Sequence, residues 1–214
     1  MHKIEFKIKT PIILGSDKIM FDSLLAYVLY QESGIRDGYV YDKNMPNLDI
    51  DIPISLHPNG YSICSIMQGE KCERSEYTYK KKYRTNYSHL AKTPAKVQIN
   101  KGEYKSYQIP FQAFSYEKVW FCFKTQNLDN VVRLCEKLVG LGKKVSTGNG
   151  MIESFDILDF DEDIWDNNIL RPIPERFLDL SKYVDIEKKN RTWKYPYWSG
   201  DYELCVVEGK RREI

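Results

Sequence analysis

Four glycines, two lysines and two hydroxyl side chains lie together in the stretch from Gly140 to Gly150. Glycine adopts positive φ angles without steric cost, so a turn rich in glycine exposes backbone N–H groups that favour an anion. Lys143 and Lys144 add positive charge at the same place. The composition predicts an anion-binding loop, and by itself it leaves open whether the anion is a nucleotide phosphate, a polynucleotide backbone or none.

The common phosphate-binding motifs do not fit this loop. A P-loop lies between a strand and the helix that follows it, and its lysine directly precedes a serine or threonine. Here Lys143 and Lys144 precede Val145, and the predicted order is helix, loop, strand. The glycines of a dinucleotide-binding fingerprint also open a helix rather than follow one. The order of elements therefore disfavours a mononucleotide and leaves an extended phosphate backbone as the ligand.

The composition of the whole chain predicts a globular protein. Its 214 residues are 42% hydrophobic and 14% aromatic, which is enough for a substantial core. The formal charge is only +2, so a nucleic-acid surface would depend on local clusters of lysine and arginine. No stretch approaches the roughly 18 consecutive apolar residues of a membrane helix, so we expect no membrane segment. Five irregularly spaced cysteines and the lack of an apolar signal segment favour free thiols and a cytoplasmic location.

Two further segments combine basic and aromatic residues. Lysine and arginine interleaved with tyrosine are typical of surfaces that neutralise phosphates and stack the bases of single-stranded nucleic acid. A solvated charged loop is the alternative interpretation of the first segment, residues 68–86. The basic positions of the first segment include Lys80, Lys81, Lys82 and Arg84. The second segment is a hairpin predicted at 96–111, and it carries Lys101, Tyr104 and Lys105 near its tip.

Hydrophobic periodicity predicts an α+β protein. Alternating polar and apolar residues indicate strands, and apolar residues at helical spacing indicate two helices, the second entered through Asn127 as its N-cap. The predicted order is strand, helix, strand, hairpin insertion, strand, helix, glycine-rich loop, strand. This is a ferredoxin-like β-α-β-β-α-β arrangement with elaborations. The predicted strands lie at 3–14, 61–67, 119–123 and 151–158, and the predicted helices lie at 20–33 and 128–139.

The last quarter of the chain follows this pattern as an extension. Residues 159–166 are acidic and predict a solvated bend, residues 171–174 form a proline-rich turn, and an aromatic-basic tail follows. We therefore expect a ferredoxin-like core over 1–160 with a basic segment inserted at about 68–106, and a C-terminal extension over 161–214 packed on that core.

A ferredoxin-like fold whose last helix runs into a Gly-x-Gly-(Lys/Arg)-x-x-x-x-Gly-x-Gly loop resembles the RAMP superfamily of CRISPR-associated RNA-binding proteins, and residues 140–150 match that loop. Three further stretches are similar to the type IV CRISPR Cas-five-like subunit. They are Phe21–Tyr27 after the first strand, the Ile99–Pro110 hairpin and the Arg171–Pro174 turn. All four stretches occur in the family's order. The acidic bend and the C-terminal tail have no counterpart, which leaves open a role outside a standard complex, such as a phage-encoded or stand-alone copy.

The resemblance implies a crRNA-binding subunit of an antiviral ribonucleoprotein effector complex, seated at the 5′ handle end of the guide beside a Cas-seven-type backbone subunit. It implies a non-catalytic role and leaves contact with target DNA open. The segment 77–87 would correspond to a thumb or small extra domain that touches handle RNA or the target duplex. The loop residues that the resemblance assigns to RNA phosphates are Gly142, Lys143, Lys144, Ser146, Thr147, Gly148 and Gly150, with Lys101, Tyr104 and Lys105 acting from the hairpin.

Catalysis is the main alternative, because some RAMP proteins cut RNA without metal by activating a 2′-hydroxyl with a histidine. Of His2, His57 and His89, only His89 lies near predicted RNA contacts. A metal-independent endoribonuclease that processes CRISPR repeat RNA, with His89 as its acid-base residue, is therefore the second hypothesis. A protein-interaction module that no longer binds RNA is the third.

We expect no metal and no cofactor. The cysteines lack the C-x₂₋₄-C spacing of a zinc site, and Cys122 and Cys135 are expected to be buried small hydrophobes. The acidic stretch 159–166 lacks the glycine and the terminal glutamate of an EF-hand loop.

Overall fold

The computed structural model describes residues 1–15, 19–33, 50–81, 106–195, 197 and 202–212. Within these residues the protein is α+β, as the sequence predicts, with three antiparallel sheets of three strands each. None of the described helices is long and apolar enough to cross a membrane. The helices are α1 (Phe21–Glu32), α2 (Leu128–Cys135) and α3 (Glu162–Asn167). The strands are β1 (His2–Ile8), β2 (Ile12–Ile13), β3 (Glu73–Lys81), β4 (Tyr107–Ser115), β5 (Lys118–Phe123), β6 (Ile152–Asp159), β7 (Ile173–Pro174), β8 (Tyr183–Arg191) and β9 (Glu203–Arg211).

The first sheet has β1 at its centre, in the order β5-β1-β6. In β1, Ile4, Phe6 and Ile8 alternate with more exposed residues and are buried, because side chains two positions apart point to the same face of a strand. Helices α1 and α2 pack against this sheet and form the main core with it. The Phe21 ring of α1 stacks on the Phe121 ring of β5, with ring centroids 5.2 Å apart.

Residues 62–68 lie along the other side of β5. The predicted strand at 61–67 is present here only as separate antiparallel bridges. Between the bridges, the buried Ser65 hydroxyl accepts a hydrogen bond from the Cys122 N–H at 3.0 Å, so a side chain takes a place that a backbone carbonyl would have in a regular ladder. The bridges to β5 join Cys64 to Phe123 and Gln68 to Trp120.

Helix α2 begins as predicted and ends earlier than predicted. The Asn127 side chain caps it by accepting a hydrogen bond from the Asn130 N–H at 3.0 Å. The helix ends at Cys135, although apolar residues continue at helical spacing to Val139. Leu138 is buried although it lies after the turn that follows the helix, and Val139 is 65% exposed. The apolar pattern therefore extends beyond the helix itself.

The second sheet has the order β2-β4-β3 and is built mainly by the hairpin of β3 and β4. Strand β3 occupies part of the polar segment for which a solvated loop was the alternative, and it pairs with β4 along its whole length. It is an edge strand with mostly exposed side chains, and only Tyr77 and Tyr79 are partly buried. This exposure explains why no apolar alternation marks β3 in the sequence.

The third sheet, in the order β7-β9-β8, forms a second core near the C-terminus. Trp193, Cys205 and Val206 are buried in this core. The sequence predicts only an aromatic-basic tail here, whereas β8 and β9 are strands of nine residues each. Strand β8 is exposed along most of its length, so its pattern is polar and carries little periodic signal.

The acidic residues 159–166 include a short helix, α3, where the sequence predicted a bend. Asp161 is its N-cap, and its carboxylate accepts a hydrogen bond from the Asp163 N–H at 3.0 Å. Glu162 and Asp163 lie in the first turn, where the helix dipole favours negative charge. Several of the carboxylates therefore stabilise a helix start.

A buried ion pair connects α1 with the C-terminal part of the chain. The side chains of Arg171 and Asp22 are both completely buried, with 3.8 Å between Nη2 and Oδ2. The Tyr197 hydroxyl donates to Asp22 at 2.6 Å and accepts a hydrogen bond from Arg171 at 3.2 Å. Asp22 and Arg171 belong to two of the stretches that carry the family resemblance. Arg171 also donates to the backbone carbonyls of Ser62, Cys64 and Trp193.

All five cysteines are free thiols, as the sequence predicts. Cys72 is exposed and the other four are buried. Burial raises the pKa of Cys122 to about 11 and that of Cys135 to about 12. Both residues therefore act as small hydrophobes in the core, which confirms the expectation for them.

Candidate nucleic-acid interface

The glycine-rich loop leaves α2 and folds back onto β2 before it enters β6. The Lys143 N–H donates to the Ile13 carbonyl at 2.8 Å, and the Gly150 N–H donates to the Pro11 carbonyl at 2.9 Å. A hydrogen bond of 2.8 Å from the Leu141 N–H to the Gly150 carbonyl closes the loop at its base. One end of the loop is therefore held on β2 and the other on Pro11 just before it, and the exposed middle extends from a fixed base.

Three of the four loop glycines are required by this base, and a Cβ atom at Gly140 would lie 2.8 Å from the Gly150 carbonyl oxygen. A Cβ atom at Gly142 would lie 2.6 Å from the Ile13 carbonyl oxygen, and one at Gly150 would lie 2.0 Å from the Leu141 carbonyl oxygen. Gly148 differs, since its φ is +86° but a Cβ atom there would meet nothing within 4 Å. Gly142 and Gly150 thus have a packing role, and Gly150, which the sequence predicts to contact RNA, is buried, whereas Gly148 is exposed and permits a turn.

Lys144 has a left-handed backbone conformation, with φ of 61°, which is uncommon for a residue that carries a side chain. Its carbonyl accepts hydrogen bonds from the Thr147 N–H at 3.0 Å, the Thr147 hydroxyl at 2.8 Å and the Asn149 side-chain amide at 3.4 Å. Such a conformation persists when its surroundings fix it, and these bonds across the 3₁₀ turn Val145–Thr147 do so. The Lys144 side chain is thereby directed onto the hairpin of β3 and β4.

The loop contacts one face of that hairpin. Lys144 Nζ lies 3.8 Å from the centre of the Tyr79 ring and 6.0 Å from the centre of the Phe111 ring. The Tyr77 hydroxyl donates a hydrogen bond to the Thr147 hydroxyl at 3.2 Å. The structure therefore brings together the glycine-rich loop and the basic-aromatic segment, which the sequence predicted as two separate contacts.

The same face of the hairpin continues to a second tyrosine and a second lysine. Tyr107 lies opposite Lys81 in the strand pair, and its ring centroid is 6.0 Å from that of Tyr79. Lys81 Nζ lies 5.9 Å from the centre of the Tyr107 ring. Ile109, directly opposite Tyr79, is 40% exposed. We call the surface formed by Lys144, Tyr79, Ile109, Tyr107 and Lys81 the tyrosine surface.

The other predicted RNA-binding residues are distributed differently. Lys80 is exposed, and strand alternation directs it to the opposite face of the hairpin from Tyr79 and Lys81. The exposed loop residues around Lys144 are Gly142, Lys143, Ser146, Thr147 and Gly148. The predicted positions that lie outside the described residues are Lys82, Arg84, Lys101, Tyr104 and Lys105, together with the hairpin tip at 100–103.

The two histidines that the structure describes pack against aromatic rings. His57 stacks on Tyr61 with ring centroids 4.4 Å apart, and burial lowers the pKa of His57. His2 lies beside Phe123, with 5.6 Å between ring centroids. His89, the residue of the endoribonuclease hypothesis, lies outside the described residues. Across the described ranges, no group of three or more His, Cys, Asp and Glu side chains is placed to hold a metal ion.

The tyrosines of this surface are the residues that sequence reasoning did not assign to the site. Tyr79 and Tyr107 contributed only to a composition, although a usable signal was present. Tyr77, Tyr79 and Lys81 recur at every second position, which places them on one face of a strand. Asn149 was also missed, and its buried amide donates to the Thr147 hydroxyl at 3.0 Å within the loop.

Comparison with known proteins does not assign this chain to a family. No family model matches the chain, and no curated protein matches it. A functional proposal therefore depends on the strand order, the loop geometry and the tyrosine surface.

Proposed function

We propose that this protein is a non-catalytic crRNA-binding subunit of a type IV-like CRISPR effector complex, and that it holds the 5′ handle end of the guide RNA beside a Cas-seven-type backbone subunit. The observation that carries the proposal is the contact between the glycine-rich loop and the hairpin of β3 and β4. Lys144 joins the two, since its amino group lies 3.8 Å from the centre of the Tyr79 ring. Two segments that separately match phosphate binding thus form one surface.

The strand order supports a ferredoxin-like RAMP core. In a ferredoxin-like sheet, the first strand lies between the third and the fourth, and the second lies at the edge beside the third. Here β1 lies between β5 and β6, and residues 62–68 lie beside β5. Helices α1 and α2 follow β1 and β5, where the two helices of this fold belong. The second and third sheets would then be elaborations of the core.

The loop offers two kinds of donor to a phosphate chain. Lys143 is exposed, and the Lys144 side chain lies next to it on the tyrosine surface. In the part of the chain that the structure describes, the backbone N–H groups of Lys144, Val145 and Ser146 donate to no acceptor. Adjacent amides of this kind favour an anion, and lysine side chains bind phosphates with release of counterions. Both features suit an extended RNA backbone.

The first experiment measures the affinity for a labelled CRISPR repeat RNA over a range of salt concentrations. Each phosphate contact contributes about 0.7 to the slope of log K against log salt on single strands. The double variant Lys143→Ala/Lys144→Ala should therefore reduce that slope by about 1.4 and weaken binding at low salt. Lys188→Ala/Lys189→Ala is the matched control, because these adjacent exposed lysines lie on β8, and it should bind like the wild type. An unchanged slope in the loop variant contradicts the proposal.

The second experiment separates binding from cleavage. The repeat RNA is incubated with the protein, with and without EDTA, and should be recovered intact. A defined cut that His89→Ala abolishes would instead support the endoribonuclease hypothesis and contradict the non-catalytic role.

A further inference from the structure

Two tyrosine rings lie between two lysines on the tyrosine surface. Tyr79 and Tyr107 are both partly exposed, and their ring planes are inclined by 44°. Lys144 covers part of Tyr79, and Lys81 lies near the Tyr107 ring. Ile109, directly opposite Tyr79 in the strand pair, is also exposed. Phosphate binding uses the lysines, but it gives no reason for partly exposed rings and an exposed isoleucine beside them.

Aromatic rings flanked by cations match the chemistry of a single-stranded nucleic acid. An unpaired base stacks on a tyrosine ring through its flat face, while its phosphate binds a nearby cation. A base inside a duplex has both faces covered by its neighbours, so it offers no face for this contact. The inclination between Tyr79 and Tyr107 requires that two bases stacked on them be splayed apart, which a flexible single strand permits and a regular helix does not.

Lys144 connects base stacking with phosphate binding. Its amino group lies over the Tyr79 ring in a cation–π contact. Such a contact is weak at an exposed site, so Lys144 can leave the ring for a phosphate at little cost. A base then takes the place of the ammonium group on Tyr79.

We propose that Tyr79 and Tyr107 each stack one unpaired base of a single-stranded nucleic acid, with Lys144 and Lys81 binding the adjoining phosphates. The inference rests on the proposed function and specifies the ligand of the same surface. Unpaired nucleotides bind at the tyrosines, whereas a duplex is held only through the lysines.

The test compares three labelled probes of equal length, namely an oligouridylate, the same strand with abasic central residues, and an RNA duplex. The wild type should bind the oligouridylate most tightly. Tyr79→Leu and Tyr107→Leu should each weaken that binding by about 5-fold to about 150-fold, the contribution of one stacked base, without changing the salt slope. Tyr27→Leu is the matched control, because Tyr27 is 55% exposed on α1, and it should leave the affinity unchanged.

A second readout detects stacking directly. A 2-aminopurine base in the single strand should lose fluorescence on binding to the wild type, because stacking on an aromatic ring quenches it. Tyr79→Leu or Tyr107→Leu should restore part of that fluorescence. Urea unfolding shows whether each leucine variant folds. If one does not, base stacking is still tested by the abasic strand on the wild type and by Tyr107→Phe, which keeps the ring.

Salt-dependent binding that both leucine variants leave unchanged overturns the stacking proposal and leaves the proposed function intact. Equal affinity of the wild type for the abasic and the base-bearing strand likewise overturns the stacking proposal and leaves the proposed function intact. A wild type that binds no RNA, or binds it without salt dependence, overturns the proposed function and the stacking proposal together.

Discussion

Replacing Arg171 with methionine is expected to lower the free energy of unfolding by about 3 to 5 kcal/mol. The Arg171 guanidinium is completely buried and donates to three backbone carbonyls as well as to the Tyr197 hydroxyl. Methionine fills much of the same space with apolar atoms. The loss of stability therefore comes mainly from polar groups that lose their partner and only to a lesser extent from a cavity.

The magnitude follows from what the substitution leaves behind. Asp22 would keep a fully buried carboxylate with the Tyr197 hydroxyl as its remaining donor. Removing one member of a buried ion pair typically costs about 3 to 5 kcal/mol, because the other charge stays buried without compensation. The carbonyls that lose the Arg171 donor place the loss towards the upper end of this range, since local relaxation and water entry recover most of the cost of an unsatisfied buried carbonyl, about 1 to 3 kcal/mol.

Urea unfolding followed by far-UV circular dichroism gives the free energy and the m-value. Arg133→Met is the matched control, because Arg133 carries the same side chain in an exposed pair with Glu32, and it should cost at most about 1 kcal/mol. The double variant Asp22→Asn/Arg171→Met should lose less than the sum of its single variants, since it removes both charges. Equal midpoints for Arg171→Met and Arg133→Met, or an additive double variant, would refute the role assigned to the ion pair.

Three further predictions concern other parts of the fold. In the native protein only Cys72 should react rapidly with Ellman's reagent, and all five thiols should react in denaturant; rapid native reaction of a second thiol would disprove the burial of the other four. Gly148→Ala should lower the free energy of unfolding in urea by about 1 to 2 kcal/mol, because φ is positive at Gly148. Gly150→Ala should lower it by more, because its Cβ atom would clash with the Leu141 carbonyl. Equal losses for the two variants would contradict the loop geometry. Burial raises the pKa of Tyr197, so the folded state keeps a proton that the unfolded state releases above about pH 10. The free energy of unfolding should therefore fall as the pH rises past that value. Tyr197→Phe should make this fall less steep in thermal unfolding, and an identical pH profile would argue against the shift.

The elements of the first sheet could be predicted because their side chains carry a periodic signal. Strand β1 alternates buried and exposed residues, and Asn127 marks the start of α2. Strand β3 carries only a weak form of this signal, in Tyr77 and Tyr79, since its other side chains are exposed and residues 82–106 separate it from its partner β4. The sequence predicts a bend at the acidic residues 159–166, because a carboxylate that caps a helix and one that is merely solvated look alike in a sequence.

The candidate site was predictable in composition but not in arrangement. Glycines and lysines identified the loop, yet the contact of Lys144 with Tyr79 depends on a left-handed backbone that hydrogen bonds from Thr147 and Asn149 stabilise. Residues other than glycine seldom adopt this conformation, so a lysine at this position does not predict it. The burial of Asp22 was equally hidden, because an acidic residue in the first turn of a helix is normally explained by the helix dipole alone.

The pairing of Asp22 with Tyr197 spans 175 residues of sequence. During synthesis on the ribosome, the first helix emerges long before the groups that neutralise its acid have been translated. Until Arg171 and Tyr197 leave the exit tunnel, burying the Asp22 carboxylate against the core would leave it without these two partners, which opposes the docking of α1. The packing of α1 is therefore completed only after a segment 175 residues further along the chain has been made.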